Sequence, residues 1–332
     1  MRFGPVPLDQ AEGAILAHSE TLDGRKLKKG RVLTAADLAG FRAAGIAELT
    51  VARLDPGDVT EDAAAARLAA ALVPDPEAAG LTLSPAFTGR VNVKAARPGL
   101  VALDRRVIEA LNLLDPGLTL ATLAPLTRVA PGSLVATVKI ISYAIAEDII
   151  SRAEQAARAA LSLHPVTRRT AGLLLSELPD QPEKISAKAR RVTDQRLRAL
   201  GIELVETRST PHEAGAMAEA LASLCGEMLL ILTASATSDA QDTGPEALIR
   251  AGGTLTRFGM PVDPGNLLFT GRLGTRPVIG LPGCARSPAL NGADWVLERT
   301  ACGLDPTSEE IAAMGVGGLL KEIPQRPQPR DG

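Results

Sequence analysis

From residue 170 onward, apolar and polar positions alternate between short apolar runs and longer amphipathic stretches. AGLLLS is followed by an amphipathic segment over 186–200, then by ELVET, a helix from Pro211, MLLILTA, a helix after Asp242, the strand-like TLTRF, and RPVIGLP before a last helix through Trp295. Short apolar runs separated by helix-length segments predict a parallel or mostly parallel sheet with helices on both faces, because parallel neighbours need a crossover connection. In such sheets ligands bind beyond the carboxyl ends of the strands. The segments to watch are therefore 176–184, 233–242 and 282–287.

The first half is patterned differently. Residues 1–73 read as a small α/β unit. Asp23-Gly24, between HSETL and RKLKK, favours a tight hairpin turn. Thr34 followed by Asp37 reads as a capping box, Gly45 closes the helix, and IAELTVARL alternates as a strand. Thr60, Glu61 and Asp62 open an alanine-rich helix that stops before Pro74, and residues 74–80 read as a linker. Over 81–150, the β-like runs GLVALD, LTLATLA and SLVATVKIISYAI lie between Pro-Gly pairs and a helix around RRVIEALNLL, which predicts a strand-rich mixed domain. Residues 147–163 read as a helix leading into an α/β domain over 165–305, with a tail at 306–332.

Composition narrows the function classes. With 45% apolar residues the chain supports a globular fold, and a net charge of −2 supplies no field to draw nucleic acid or an anionic membrane. Aromatic residues make up 2%, too few for the stacking platforms of single-strand binders. Cys225, Cys284 and Cys302 are odd in number and lack CxxC spacing, so neither a disulfide framework nor a zinc site is expected, and any metal would be held by oxygen ligands or by the ligand itself. No apolar stretch of signal-peptide or membrane-spanning length is visible, and the expected location is the cytoplasm.

Several residues at the watched segments carry chemistry. After Leu232 the small residues Thr233-Ala234-Ser235 leave backbone open to a ligand, and the helix starting near Thr243 offers free N–H groups to a phosphate. Asp239 and Asp242 lie where carboxylates hold Mg²⁺ between phosphates, as candidate metal ligands and catalytic groups. The plainer alternative is a capping box from Thr243 to Glu246. In LPGCARSP, Ser287 reads as a helix cap and Pro288 as a first-turn residue, which leaves Arg286 as a planar cation suited to an oxyanion. Thr210-Pro-His212-Glu213 reads as a capping box rather than an acid/base pair. Lys184, Lys188, Arg190 and Arg191 crowd the start of a helix, where cations oppose the dipole; this is either an anion site or a solvated face. No GxSxG elbow is present.

Three of these stretches, ILTASATSDAQDTGPEAL at 231–248, MPVDPGNLLFTG at 260–271 and VIGLPGCARSP at 278–288, resemble a known family in order and spacing. They are similar to the TGG-to-Asp loop, PGKP segment and LPGNP turn of the MoaB/Mog-type molybdopterin-binding domain, which also occurs in MoeA-type molybdotransferases and gephyrin. VPLDQAEGAILAHS, compared with an AxGxxLA helix, and KKGRVLTAADLAGFRAAGIAELTV resemble MoeA-type amino-terminal segments. The whole chain, with MGVGGLL and RPQPR near its end, resembles the molybdopterin-binding half of bacterial fusions with a cofactor nucleotidyltransferase.

The resemblance implies a three-layer α/β/α Mog-like domain, preceded by the smaller α/β and strand-rich domains. It implies molybdopterin or the molybdenum cofactor as ligand, Mg²⁺ and ATP as candidate co-ligands, and a homodimer. Thr233, Ala234, Ser235, Gly265, Asn266, Pro282, Gly283, Cys284, Arg286 and Ser287 would contact the cofactor, and Asp239 and Asp242 would organise the metal. Cys284 reads either as a partner of molybdenum or a dithiolene, or as a small buried thiol. Because the chain ends at Gly332, a nucleotidyltransferase or an apo-molybdoenzyme is expected as a separate partner.

Three departures bear on catalysis: Ala234-Ser235 replace paired glycines, Asn266 replaces a lysine, and SELPDQPEK replaces a TGDE-like element. Two functions follow. One is a transferase that activates molybdopterin or inserts molybdate; the other is a non-catalytic carrier of the cofactor. A nucleotide-processing domain of the competence-damage-inducible type is a third, since one fold hosts several functions.

Overall fold

A computed structural model of the chain describes residues 1–22 and 24–320; Asp23 of the hairpin turn and residues 321–332 of the tail, RPQPR included, lie outside the described residues. The chain divides into two compact units, 1–97 with 101–163, and 98–100 with the chain from 164 onward. Among the described residues no helix is long and apolar enough to cross a membrane.

In the first unit, strands Arg2–Pro7 and Ile15–Leu16 flank Glu48–Arg53 in an antiparallel sheet. Helix Ala35–Ala43 starts at the Thr34/Asp37 capping box. The Arg31 guanidinium beside Asp37 lowers that carboxyl to about 2. Phe41, Leu33, Leu16 and Val51 form the local core. The AxGxxLA segment is not helical: Gly13 takes a φ of +76°, and Ile15–Leu16 continue as a strand that pairs with Glu48–Arg53. Sheet pairing overrides local helix propensity there. Strands Glu20–Leu22 and Arg25–Leu27 form the expected hairpin around Gly24.

A second core in this unit joins helices Glu61–Leu72, Arg105–Asn112 and Glu147–Ala157 to four antiparallel strands through Leu68, Leu72, Val93, Leu111, Val138 and Ile150. Residues 74–80 hold a helical turn, Pro76–Ala79, capped by Asp75 and ended by Gly80 at φ +71°. The helix expected to reach 163 stops at Ala157; Ala159 adopts φ +52°, and Leu161–Pro165 is a strand.

The second unit holds a six-stranded sheet. Its strands are β1 (Thr170–Glu177), β2 (Glu203–Pro211), β3 (Met228–Leu232), β4 (Thr254–Phe258), β5 (Phe269–Leu273) and β6 (Arg276–Gly280). The order is β2-β1-β3-β6-β5-β4, with the first four parallel, β5 antiparallel to β6 and β4 antiparallel to β5, so that β5 alone is reversed. The sheet is mostly parallel, as its pattern predicts. The antiparallel edge arises because β5 and β6 are joined by a tight turn at Gly274, φ +60°, with no room for a crossover.

Helices α1 (Glu183–Arg198), α2 (Ala214–Ser223), α3 (Thr243–Arg250) and α4 (Gly292–Ala301) cover the sheet. On one face Leu174, Leu229, Ile231 and Val278 pack with Met217, Leu221, Leu248 and Phe269. Strand alternation turns the buried Leu173, Leu175 and Leu230 to the other face, that of α1 and α4, which are tied by Arg196 and Asp294 at 2.6 Å. Each leucine so buried contributes about 2 kcal/mol relative to its exposed state. The result is a three-layer α/β/α fold.

Three local expectations are corrected. The Thr210–Glu213 capping box does not form, because β2 runs through Pro211 and the His212 N–H continues the strand pairing onto the Glu177 carbonyl at 2.9 Å. Ser287 and Pro288 do not open α4. Ser287 closes a 3-10 turn, Gly283–Arg286, and the helix starts at an Asn291/Asp294 capping box. Asp242, rather than Thr243, caps α3.

Candidate functional site

The watched segments meet at the carboxyl ends of the parallel strands. Past the end of β6, the Leu281 N–H donates to the Ile231 carbonyl at 2.7 Å and sets the 282–287 turn beside the loop after β3. Arg286 Nη2 then donates to the Thr233 carbonyl at 2.7 Å. Arg196 of α1 clamps the same turn, donating to the carbonyls of Ala285 (2.8 Å), Ser287 (2.7 Å) and Ala289 (3.1 Å). Thr233, Ala234, Pro282, Gly283, Cys284, Arg286 and Ser287 therefore share one edge of the sheet.

Gly265 and Asn266 join this edge through α4. The Gly292 N–H donates to the Pro264 carbonyl at 2.8 Å. Gly265 has φ +144°, and a Cβ there would lie 2.9 Å from Gly292 N, so only glycine fits against the helix start. The helix cap Asn291 reaches Cys284, Nδ2 donating to Sγ at 3.0 Å. The buried-thiol reading of Cys284 is corrected: it is exposed, because its turn lies at the surface. Asn266 is exposed as well.

The loop after β3 satisfies its own polar groups. Thr233 is buried and its hydroxyl donates to the Ser235 carbonyl at 2.7 Å. Asp239 Oδ1 accepts from Gln241 N at 2.8 Å. Asp242 accepts from Ser238 N (2.8 Å) and from Thr243 N (2.7 Å) on its two oxygens. These bonds, the Ser238 N–H foremost, hold the Asp242 carboxyl below the usual carboxylate range. Among the described residues no group of three or more His, Cys, Asp or Glu is arranged to hold a metal ion. Asp239 and Asp242 are thus engaged as turn and cap acceptors, a donor set that does not by itself make a protein-held Mg²⁺ site.

Of two further residues of this edge, Ser176 is missed in the sequence and His212 reads there as part of a helix cap. Ser176, 2% exposed at the end of β1, accepts from Ala234 N at 2.9 Å and lies 2.9 Å from His212 Nδ1. Ser176 thus joins the Ala234 backbone of the loop after β3 to His212 at the end of β2, with its hydroxyl able to accept from both or to donate to Nδ1. His212 also lies near enough to Asp242 to favour its ionised form. The available signal was that both residues fall at the ends of neighbouring parallel strands; the capping-box pattern at 210–213 obscured it.

Arg286 is the cation that sequence grammar left unexplained. It is half-buried, burial depresses its pKa, and among the described residues its buried Nε has no hydrogen-bond partner. Gly283 is equally unexplained by packing. It is exposed and outside the left-handed region, and an added Cβ would meet nothing closer than Arg286 Nη1 at 3.4 Å. A cavity of about 530 Å³ adjoins them, lined by Lys184, Ile185, Lys188, Arg191 and Arg286. Another, of about 390 Å³, runs along β5 and β6 past Thr270 and Arg272 toward Pro277 near the start of β6, away from the strand ends.

Residues 5–53 match a family described as a domain of unknown function (DUF8806). No curated protein matches the chain. Among solved structures, the chain is similar to the molybdopterin biosynthesis MoeA protein from Pyrococcus horikosii, at 11% identity and a TM-score of 0.31, over 92% of this chain and 76% of that one. It is also similar to a molybdenum cofactor biosynthesis protein from Pyrococcus furiosus, at 12% identity and a TM-score of 0.24, over 91% of this chain and 64% of that one, so it spans less than two thirds of the latter. A functional reading of this chain therefore rests on its own residues.

Proposed function

We propose that the α/β domain binds molybdopterin, or a close phosphorylated precursor of it, and serves molybdenum cofactor biosynthesis. The observation that carries this reading is the meeting of the three family-like segments at one sheet edge: Arg286 bonds the 278–288 segment to Thr233 of the 231–248 segment, and the Pro264 carbonyl of the 260–271 segment accepts from Gly292 at the start of α4, next to Asn291, which bonds Cys284. Open backbone at Gly283 lets a flat ligand approach, and Arg286 supplies a cation whose Nε has no acceptor among the described residues. His212 adds a polar contact at the neighbouring strand end.

Between transferase and carrier, the state of Asp242 favours the carrier. Both of its oxygens already accept backbone N–H groups, an arrangement that suits loop shaping more than metal-assisted chemistry.

Gentle purification followed by mass spectrometry of the retained small molecule tests the reading. A phosphorylated pterin is expected on the wild type and is lost from Gly283→Val, whose unfolding midpoint stays unchanged. Purified protein that neither retains nor takes up molybdopterin would overturn it. Conversion of molybdopterin in the presence of ATP or molybdate would instead establish the transferase.

A further inference from the structure

The cavity beside Arg286 has a wall that the family-like segments do not supply. Lys184, Lys188 and Arg191 are spaced by four and three residues, which puts them on one stripe of α1. That stripe faces Arg286 across about 530 Å³, and no carboxylate lines the space. Among the described residues none of these four cations has an ion-pair partner. By contrast Arg196, on the same helix, pairs with Asp294, and Arg198 pairs with Asp194.

The wall is also on the unfavourable end of its helix. Lys184 lies in the first turn of α1, where the macrodipole repels cations, and the N-cap Pro182 contributes no side-chain cap. Lys188 and Arg191 follow on the next two turns, and the like charges of these three side chains and Arg286 repel one another, which an anion between them relieves. A free phosphate fills only part of that volume and leaves room for the rest of a larger phosphorylated ligand.

We propose that Lys184, Lys188, Arg191 and Arg286 form a binding cavity for a phosphoryl group carrying two or more negative charges, from either a nucleotide or a phosphorylated pterin. The proposal rests on the reading above in taking the strand-end edge as the place of binding. It adds the substrate class and three residues of α1. Arg286 contributes a fixed planar donor anchored on the loop after β3, and the α1 side chains contribute mobile charges that close on the ligand.

Calorimetric titration of the full chain with inorganic pyrophosphate tests it. Saturable one-to-one binding is expected, weakening as salt is raised. Lys188→Gln and Arg191→Gln should each reduce affinity about 3- to 10-fold, and the triple variant with Lys184→Gln more than about 100-fold, as expected for lost charge-assisted hydrogen bonds. All three side chains are exposed on a helix, so the variants fold. Arg190→Gln, one position off the stripe, should bind like the wild type. ATP binding with no binding of adenosine would assign the nucleotide source; competition by a phosphorylated but not a dephosphorylated pterin would assign the pterin. Absence of saturable pyrophosphate binding, equal losses with Arg190→Gln, or tighter binding of molybdate than of pyrophosphate would overturn the proposal. Pyrophosphate binding without pterin retention would overturn the pterin reading alone, and the reverse would overturn only the cation cavity.

Discussion

The loop after β3 and the wall formed by α1 and the 282–287 turn flank one another, yet they are built on opposite terms. In the loop, the Thr233 hydroxyl, the Asp239 carboxylate and both Asp242 oxygens have partners within a few residues. In the wall, among the described residues, Arg286 keeps a buried nitrogen without an acceptor, and three α1 cations face a cavity that no carboxylate lines. Satisfied polar groups hold a shape, whereas unsatisfied ones retain binding capacity. On the proposed reading, the carboxylates that attract attention in the sequence shape the site and the cations bind the ligand.

The comparison breaks most readily at Gly265, where backbone meets backbone. Gly265→Ala should destabilise the protein by about 3 kcal/mol, from left-handed strain and overpacking against Gly292, read as a lower urea midpoint at unchanged slope. A near-neutral result would show that the α4 start yields and that the 264–266 segment is not fixed by it.

Next in size is Ser176→Ala. Removing this hydroxyl leaves the Ala234 N–H and His212 Nδ1 without their shared partner, at a cost of about 2 kcal/mol. The loss should be accompanied by faster amide exchange at Ala234. Equal exchange in both proteins would separate Ser176 from the shaping of the loop.

The smallest effect is expected at Asp242. Its folded-state pKa is depressed, so the ionised group stabilises the fold above the usual carboxylate range, and that stability is lost as pH falls through the folded value. Asp242→Asn should cost at most about 1 kcal/mol at neutral pH, because Asn caps nearly as well, and the difference from wild type should shrink as pH falls below the usual carboxylate range. Pterin retention should persist in this variant. Its loss without a change in stability would return Asp242 to the binding groups.

Much of the fold was legible where cause and consequence lie close in the chain. The Thr34/Asp37 capping box, the hairpin around Gly24 and the strand–helix alternation from residue 170 depend on neighbours or on a short period, and the side chains alone determine them. The positions of the 233–242 and 282–287 segments after parallel strands were legible for the same reason.

Tertiary structure decided what sequence grammar left open or read wrongly. His212 became a strand-end partner of Ser176 because β1 and β2 lie side by side, although its local pattern favours a cap. Ser287 lost its capping role to Asn291, whose neighbour Gly292 is held by the Pro264 carbonyl. Arg286 and the stripe at Lys184, Lys188 and Arg191 share a cavity although roughly a hundred residues of chain separate them. Periodicity and capping act over a few residues, so the sequence by itself determines the elements. The partner of a polar group across the fold depends on which strands become neighbours, and that is settled only when the sheet closes its order and buries its faces.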